Sequence, residues 1–233
     1  MTEAGTLVVD VGTSGVRAAV VERGVVGALS YREVLPDTPF PGLVELDAAA
    51  LAAAVLEVAH EALAAAPGPV TSVGIANQRA TTVLWDRATG QPVAPALGWQ
   101  DLRTIGTCLE MQGRGLRLAP NASATKLANL LDQVDPGRSR DLCFGTIDTW
   151  VAWTLSGGRL HVTDATNAGV TGLAQLDTPA WDAEVLQALN IPASCLPAIV
   201  DSSGLAGECP ALPGSPVLAG IAGDQQASLI GQA

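Results

Sequence analysis

The sequence predicts an α/β fold with a mixed sheet, and three observations lead to that prediction. The chain opens with three short apolar segments rich in β-branched residues and separated by glycine turns. Predicted strands and helices alternate along the rest of the chain. Hydrophobic residues make up 48% of the 233 residues and charged residues only 15%, so the chain can bury a sizeable core.

The opening segments predict an antiparallel meander. Its strands cover Thr6–Val11, Val16–Glu22 and Val25–Tyr31, with turns at Gly12-Thr13-Ser14-Gly15 and Arg23-Gly24. Because short turns join consecutive strands in antiparallel order, we expect this meander at one edge of the sheet.

The first predicted helix follows an N-cap signal. Asp47 precedes a run rich in Ala, Leu and Glu, Ala48–Ala65, which ends at Pro67-Gly68-Pro69. The further predicted strands are Val70–Ala76, Thr81–Asp86 and Val217–Ala222. The further predicted helices are Arg103–Met111, Thr125–Asp132, Thr146–Leu155, Trp181–Leu189 and Asp224–Gly231.

Net charge and cysteine spacing limit the class of protein. The charge is 12 − 23 = −11 and the pI is near 4.4, which argues against nucleic acid or an anionic membrane as the main partner. No run reaches the ~18 apolar residues that span a bilayer. The four cysteines are far apart and form no CxxC pair, so we expect reduced, mostly buried thiols and a cytoplasmic location.

The first candidate site is the turn after the first strand. That strand brings the carboxylate of Asp10 to its end, and Gly12-Thr13-Ser14-Gly15 then offers backbone N–H groups and two hydroxyls. Such a turn suits phosphate oxygens, and Asp10 suits Mg²⁺. No Gly-Lys-Ser/Thr follows, so the turn is not a Walker A loop. From these residues alone, an ordinary hairpin is the competing interpretation.

Two polar stretches follow apolar segments farther along the chain. Asn77-Gln78-Arg79 stands at the carboxyl end of a predicted strand, where α/β sheets place ligands, although these residues alone favour a strand running out to solvent. Trp99-Gln100-Asp101, with Arg103 nearby, offers an aromatic face beside polar groups and suits a polyhydroxylated ligand. A core tryptophan beside a helix cap is the alternative for this stretch.

The last candidate is the junction Gly223-Asp224-Gln225-Gln226. Here an apolar strand ends in a glycine and a carboxylate, and a helix is predicted to begin. Asp224 has the chemistry of a general base that accepts a proton from a substrate hydroxyl. A helix N-cap is an equally good interpretation of the same residue.

Taken together and in this order, the candidates resemble the FGGY family of carbohydrate kinases, most closely the N-terminal domain of its glycerol kinases. The resemblance covers essentially the whole chain. The matching strings are Asp10-Val11-Gly12-Thr13-Ser14 with Arg17, Val73–Arg79, Trp99–Thr104, Ser123-Ala124-Thr125-Lys126-Leu127, Gly145–Trp150, His161–Ala168 and Ala222-Gly223-Asp224-Gln225-Gln226.

The resemblance implies a fold, a reaction and a set of site residues. The fold is ribonuclease-H-like, as in actin and hexokinase, with a helical insertion. The reaction is transfer of the ATP γ-phosphate to a hydroxyl of a polyol or sugar, with Mg²⁺ as cofactor. By this likeness Asp224 is the base and Asp10 lies near Mg²⁺. The residues implied at the γ-phosphate are Gly12, Thr13, Ser14 and Arg17, and those implied in the polyol pocket are Arg79, Trp99, Asp224 and Gln225.

Two positions depart from the glycerol kinase pattern. Glycerol kinases carry Glu after Asn-Gln-Arg and Tyr shortly before Ser-x-Thr-Lys, whereas this chain has Ala80 and Asn121. Each lost charge-assisted or neutral hydrogen bond to substrate weakens binding, by about 1.5–3 kcal/mol where a charge is involved. The substrate is therefore expected to be glycerol-like, with a different or larger polyol left open.

Residues 1–233 are interpreted as one FGGY N-terminal domain. The family continues for about as many residues again and supplies the adenosine site, so we expect little turnover from this chain without a second, C-terminal domain. A non-catalytic sugar-binding or interaction domain derived from such a kinase is the alternative. An actin-like ATPase module does not explain the Trp99-Gln100-Asp101 string. Homo-oligomerisation is left open.

Overall fold

The computed structural model describes residues 4–233 and confirms the mixed α/β class. The strands are β1 Gly5–Val11, β2 Gly15–Glu22, β3 Val25–Val26, β4 Ser30–Glu33, β5 Glu45–Leu46, β6 Val70–Asn77, β7 Val83–Asp86, β8 Ala96–Leu97, β9 Leu142–Gly145, β10 Val162–Asp164, β11 Ala198–Val200, β12 Ser203–Glu208 and β13 Val217–Gly223. The α-helices are α1 Ala48–Ala64, α2 Ile105–Gly113, α3 Ala124–Val134, α4 Ile147–Leu155, α5 Ala165–Ala168, α6 Ala183–Ala188 and α7 Asp224–Gly231.

The main sheet has the strand order β12–β13–β6–β1–β2–β3, with β4 also paired to β2. The predicted meander is confirmed, because β2 is antiparallel to β1, β3 and β4. The predicted third strand, Val25–Tyr31, is instead two short strands. Gly27 donates its N–H to Val20 O at 2.9 Å and the chain then leaves the ladder until Ser30.

Helix α1 covers one face of this sheet. Its N-cap Asp47 accepts hydrogen bonds from Ala49 N and Ala50 N at 2.9 and 3.0 Å, a cap that typically contributes about 1 kcal/mol. Each fully buried Leu or Val side chain contributes about 1.5–3 kcal/mol more. The buried side chains of α1 are Ala48, Leu51, Ala54, Val55, Val58, Ala59 and Ala62, and they share a core with Leu7, Val9 and Val11 of β1.

A second core lies between α2, α3 and α6. It contains Leu127, Leu130 and Leu131 of α3 packed with Phe144 and Val185. This part of the chain, between β6 and β13 in sequence, corresponds to the expected helical insertion. The helix predicted from Trp181 begins at Ala183, because Asp182 accepts the N–H groups of Glu184 and Val185 as its N-cap.

The carboxyl ends of three parallel strands meet at one edge of the main sheet. Val11 of β1 pairs with Asn77 of β6, and Asn77 also lies opposite Gly223 of β13. Neighbouring strands lie about 4.8 Å apart, so Val11 and Gly223 are about 10 Å apart. The turn after Asp10 and the helix that begins with Asp224 therefore leave the sheet side by side.

The four cysteines are free and buried, as the spacing predicted. They are Cys108, Cys143, Cys195 and Cys209. Burial raises the pKa of Cys143 to about 11 and that of Cys195 to about 12, so these thiols stay protonated at neutral pH. Among residues 4–233 no helix has both the length and the apolar character needed to cross a bilayer.

Candidate active site

The β1–β2 turn presents backbone donors at the sheet edge. Gly12 N donates to Gly15 O at 2.9 Å and closes the turn. Ser14 O accepts from Val34 N at 3.1 Å and from the Tyr31 hydroxyl at 3.3 Å. Within residues 4–233, the N–H groups of Thr13 and Ser14 have no acceptor, so they are available to an anion. A β-carbon at position 15 would lie 2.5 Å from Arg32 O, so this turn requires glycine there.

Asp10 and Arg17 form a cross-strand ion pair beside this turn. They are register partners in β1 and β2, and Arg17 Nη1 lies 3.2 Å from Asp10 Oδ2. The Arg17 guanidinium also lies 5.5 Å from the centroid of the Tyr31 ring. Both charged groups are half-exposed, so each remains accessible to a phosphate or a hydrated cation. Oxygen ligands of this kind are those that Mg²⁺ prefers, so Asp10 fits the expected metal.

Gln78 joins the end of β6 to the same turn. Its backbone N donates to Val11 O at 2.7 Å and its side-chain Nε2 donates to Gly12 O at 3.1 Å. Gln78 is buried and also accepts from the Thr81 hydroxyl at 3.2 Å. The polar triplet at the end of β6 is thus folded against the sheet edge, and it does not run out to solvent.

Arg79 extends from this triplet toward the start of α7. Its Nη2 donates to Gln225 Oε1 at 2.5 Å, and its Nε lies 3.8 Å from Asp224 Oδ1. The Arg79 side chain is 16% exposed and that of Asp224 52% exposed. Arg79 is therefore held in place by α7, while the carboxylate of Asp224 stays open to a ligand.

Asp224 is the first residue of α7, and the N-cap of that helix is Gly223. The N-cap interpretation of Asp224 is therefore wrong. Its Oδ1 accepts the N–H of Gln225 at 2.8 Å, which leaves Oδ2 without a hydrogen-bond donor in the described part of the chain. Gly223 N donates to Thr166 Oγ1 at 2.8 Å, and Thr166 donates in turn to the buried carboxylate of Asp164. This chain of hydrogen bonds fixes the strand end from which Asp224 projects.

Trp99 also lines the site. Its Nε1 donates to Thr13 Oγ1 at 3.5 Å, so the indole contacts the β1–β2 turn. The neighbouring Asp101 is fully buried and accepts from Val44 N at 2.7 Å and from Arg103. Burial raises the pKa of Asp101, but the hydrogen bonds from Arg103 and from Val44 N outweigh it and bring the pKa below its usual value. Of this stretch, only Trp99 faces the site; Asp101 and Arg103 are structural.

These elements enclose a cavity of about 180 Å³. Its lining residues are Thr13, Gln78, Arg79, Ala80, Trp99, Asn121, Val170, Asp224 and Gln225. All four residues expected in the polyol pocket line it, together with Thr13 from the β1–β2 turn. Asp10, Gly12, Ser14 and Arg17 lie at the turn beside the cavity and do not line it. Val170 was not predicted, because a lone apolar residue after α5 carries no sequence signal.

The two departing positions both lie in this cavity wall. Ala80 is buried and has φ = +64°, a left-handed conformation that costs a residue with a β-carbon about 1–2 kcal/mol. Its carbonyl accepts from the Ser123 hydroxyl at 3.0 Å. Strained backbone of this kind concentrates at functional sites.

Nearly the whole chain matches a family model, and its relatives are kinases. The model is the N-terminal domain of the FGGY family of carbohydrate kinases, matched over residues 6–231. A glycerol kinase from Thermus brockianus is 45% identical over 229 residues, covering 90% of this chain and 46% of the relative. A glycerol kinase from Trichlorobacter lovleyi is 44% identical over 246 residues, covering 97% and 50%. The chain spans about half the length of these relatives.

Solved structures agree on the fold. A Plasmodium falciparum glycerol kinase with ADP superposes with a TM-score of 0.89 at 24% identity, over 98% of this chain and 50% of the other. A ligand-bound xylulose kinase from Lactobacillus acidophilus gives 0.85 at 20% identity, over 98% and 50%. At these identities the likeness concerns the fold, and it agrees with the expected ribonuclease-H-like architecture.

Proposed function

Because this chain belongs to the FGGY family of carbohydrate kinases and matches the N-terminal domain of that family, we propose that it binds a polyol or sugar for phosphorylation by ATP. Residues 1–233 form the substrate-binding domain, and a second, C-terminal domain supplies the rest of the nucleotide site. The observation that carries the proposal is the shared cavity. It is lined both by Thr13 of the β1–β2 turn and by Arg79 and Asp224.

The proposed reaction uses Asp224 as the base. A hydroxyl oxygen of the substrate attacks the γ-phosphorus of ATP, and a new O–P bond forms. The bond to the bridging oxygen breaks with its electron pair on ADP, and the hydroxyl proton passes to Asp224. The unoccupied Oδ2 of Asp224 is the acceptor that this step requires.

The negative charge on the γ-phosphate is stabilised by the β1–β2 turn. The free N–H groups of Thr13 and Ser14 and the guanidinium of Arg17 donate to γ-phosphate oxygens, which gain charge as the phosphoryl group is transferred. Gly12 permits the close approach of this turn to the nucleotide. Asp10 would hold Mg²⁺, which when bound neutralises phosphate charge.

The substrate is recognised by Arg79, Trp99 and Gln225. Arg79 and Gln225 offer hydrogen bonds to hydroxyls, and the indole of Trp99 covers the C–H face of a carbohydrate chain. Ala80 and Asn121 leave space and an amide in the same wall. We therefore propose a glycerol-like polyol or a larger sugar alcohol, with a cytoplasmic location that suits four buried free thiols.

The test joins this chain after Ala233, in frame, to the second half of a matching glycerol kinase. This fusion is assayed with MgATP and glycerol, erythritol, xylitol, xylulose and gluconate. Phosphorylation of at least one acceptor supports the proposal. If calorimetry shows that the chain binds an acceptor but neither MgATP nor the added half produces turnover, the non-catalytic alternative holds. No binding and no turnover, with the parent glycerol kinase active, contradicts both.

A further inference from the structure

The chain contains a single lysine, and it is buried. Eleven of the twelve cationic Lys and Arg residues are arginines, whereas Lys126 in the first turn of α3 is 0% exposed. Lysine is almost never fully buried unless it is paired. Within residues 4–233, Lys126 forms no salt bridge; its Nζ donates to two backbone carbonyls, Trp99 O at 3.0 Å and Asn121 O at 3.4 Å. Both acceptors belong to residues that line the cavity.

A serine at the start of the same helix behaves in a similar way. Ser123 occupies the N-cap position of α3, but its hydroxyl makes no capping hydrogen bond. It donates instead to Ala80 O at 3.0 Å. A serine N-cap normally stabilises its own helix, so this hydroxyl is used for a long-range contact to a third cavity-lining residue.

The backbone of the first turn of α3 adds a fourth hydrogen bond toward the cavity. Ala124 N donates to Thr171 O at 2.8 Å, and Thr171 follows the cavity-lining Val170. The residues that supply these donors, Ser123, Ala124 and Lys126, do not themselves line the cavity. The turn is anchored behind by Thr125, whose Oγ1 lies 2.8 Å from Thr104 Oγ1 in a buried contact.

We infer that the first turn of α3 is a clamp that sets the shape of the polyol pocket, with Ser123 and Lys126 as positioning residues. Ser123 fixes the carbonyl of the cavity-lining Ala80, while Lys126 holds the cavity-lining Trp99 and Asn121 together. This inference rests on the proposed function for its substrate, but the clamp itself is a property of the fold. It assigns a role to the Ser123–Leu127 string, for which the reaction needs no chemistry.

The first test does not depend on catalysis. The chain is labelled with 5-fluorotryptophan, and the ¹⁹F signal of Trp99 is assigned by Trp99→Phe. Lys126→Met removes the donor and keeps an unbranched apolar stem, so the fold is expected to form. We expect the Trp99 signal to shift or broaden while those of Trp85, Trp150, Trp153 and Trp181 keep their positions. An unchanged Trp99 signal overturns the clamp.

The second test uses the fusion and the acceptor it phosphorylates. Lys126→Met and Ser123→Ala are each expected to raise the KM for the acceptor by roughly tenfold, as loss of a hydrogen bond to a charged or buried group does. The KM for ATP should change less than twofold, that is, by under about 0.4 kcal/mol. A rise in both KM values, or no rise in either, overturns the assignment.

Ser156→Ala is the matched control. Ser156 is also a buried serine that donates to a backbone carbonyl, Trp153 O at 3.1 Å, but Trp153 does not line the substrate cavity. This variant is expected to lose stability and to keep the KM for the acceptor. If the fusion phosphorylates nothing, the proposed function fails, whereas the fluorine signal still decides the clamp.

Discussion

The α-carbon of Gly223 lies directly against the side chain of Arg79. A β-carbon at position 223 would lie 2.2 Å from Arg79 Cδ and 2.8 Å from Arg79 Cγ. Contacts this short do not occur, so the close approach of strand β13 to Arg79 depends on glycine. This approach lets Arg79 contact both Gln225 and Asp224 at the start of α7.

Gly223→Ala should therefore displace Arg79 and weaken substrate binding. We expect the KM of the fusion for its acceptor to rise at least about tenfold, the cost of one lost charged hydrogen bond. Gly220→Ala in the same strand is the control, since its β-carbon would lie no closer than 3.8 Å to another atom. Equal KM values for the two variants would refute this role of Gly223.

Replacing Ala80 with glycine should stabilise the fold. Glycine removes the left-handed strain at φ = +64° but adds freedom to the unfolded chain, so we expect a net gain of roughly 0.5–1 kcal/mol. Ala53→Gly, at an exposed position in α1, should instead cost about 1 kcal/mol. Urea unfolding midpoints measure both, and a loss of stability in Ala80→Gly would show that the position is not strained.

Lys126 should make the stability of the chain depend on alkaline pH. Burial lowers its pKa from 10.5 to about 8. Between these values the unfolded chain binds one proton more than the folded chain, so stability rises as pH rises from about 8 to 10.5. The full gain is about 3 kcal/mol at 1.36 kcal/mol per pKa unit. Neighbouring Asp101 opposes this shift and Arg103 favours it.

The measurement compares urea unfolding of wild type and Lys126→Met from pH 7 to pH 10. Other groups that titrate in this range are common to both proteins, so their effects cancel in the difference. The wild type should gain on the variant from about pH 8 upward, with no change between pH 7 and the start of that rise. Parallel curves would mean that Lys126 titrates normally and that its burial carries no electrostatic cost.

Asp10→Asn should weaken Mg²⁺ binding and leave polyol binding unchanged. The substitution removes a charged oxygen ligand from the turn but keeps its shape, and Asp10 does not line the cavity. In the fusion we expect the half-saturating Mg²⁺ concentration to rise about tenfold, roughly 1.4 kcal/mol, with the acceptor KM unchanged. Asp177→Asn, in an exposed loop, is the control. An unaltered Mg²⁺ requirement would remove Asp10 from the metal site.

The long elements of the fold are readable from the sequence because their patterns are local. Val70–Asn77 and Val217–Gly223 are apolar runs bounded by turns, and the N-cap Asp47 marks the start of α1. Strands β5, β8 and β9 have two to four residues, too few for a periodicity, and each forms only because a distant partner pairs with it. Strand β12 has two glycines and no strand-like alternation.

The site likewise has residues that the sequence predicts and contacts that it does not. Strand ends and a family resemblance predict which residues carry chemistry, and the structure brings Thr13, Arg79, Trp99 and Asp224 to one cavity. Their roles in the reaction remain predictions. The sequence does not show that Gly223 faces Arg79. It also does not show that α3 contacts the cavity-lining Ala80 and Trp99, since these contacts join residues far apart in the chain. A lone lysine within the apolar run of α3 is the one signal that points to a special position.

The most direct test of the central claim is the turnover of the Asp224→Asn fusion. If Asp224 takes the proton of the attacking hydroxyl, kcat should fall by about 10²–10⁴-fold, the usual contribution of a general base. The acceptor KM should stay within about threefold, roughly 0.7 kcal/mol, because the amide keeps the size of the side chain. Asp201→Asn, an exposed acid outside the cavity, should keep full turnover. An Asp224→Asn enzyme with the kcat of the wild type would contradict the account.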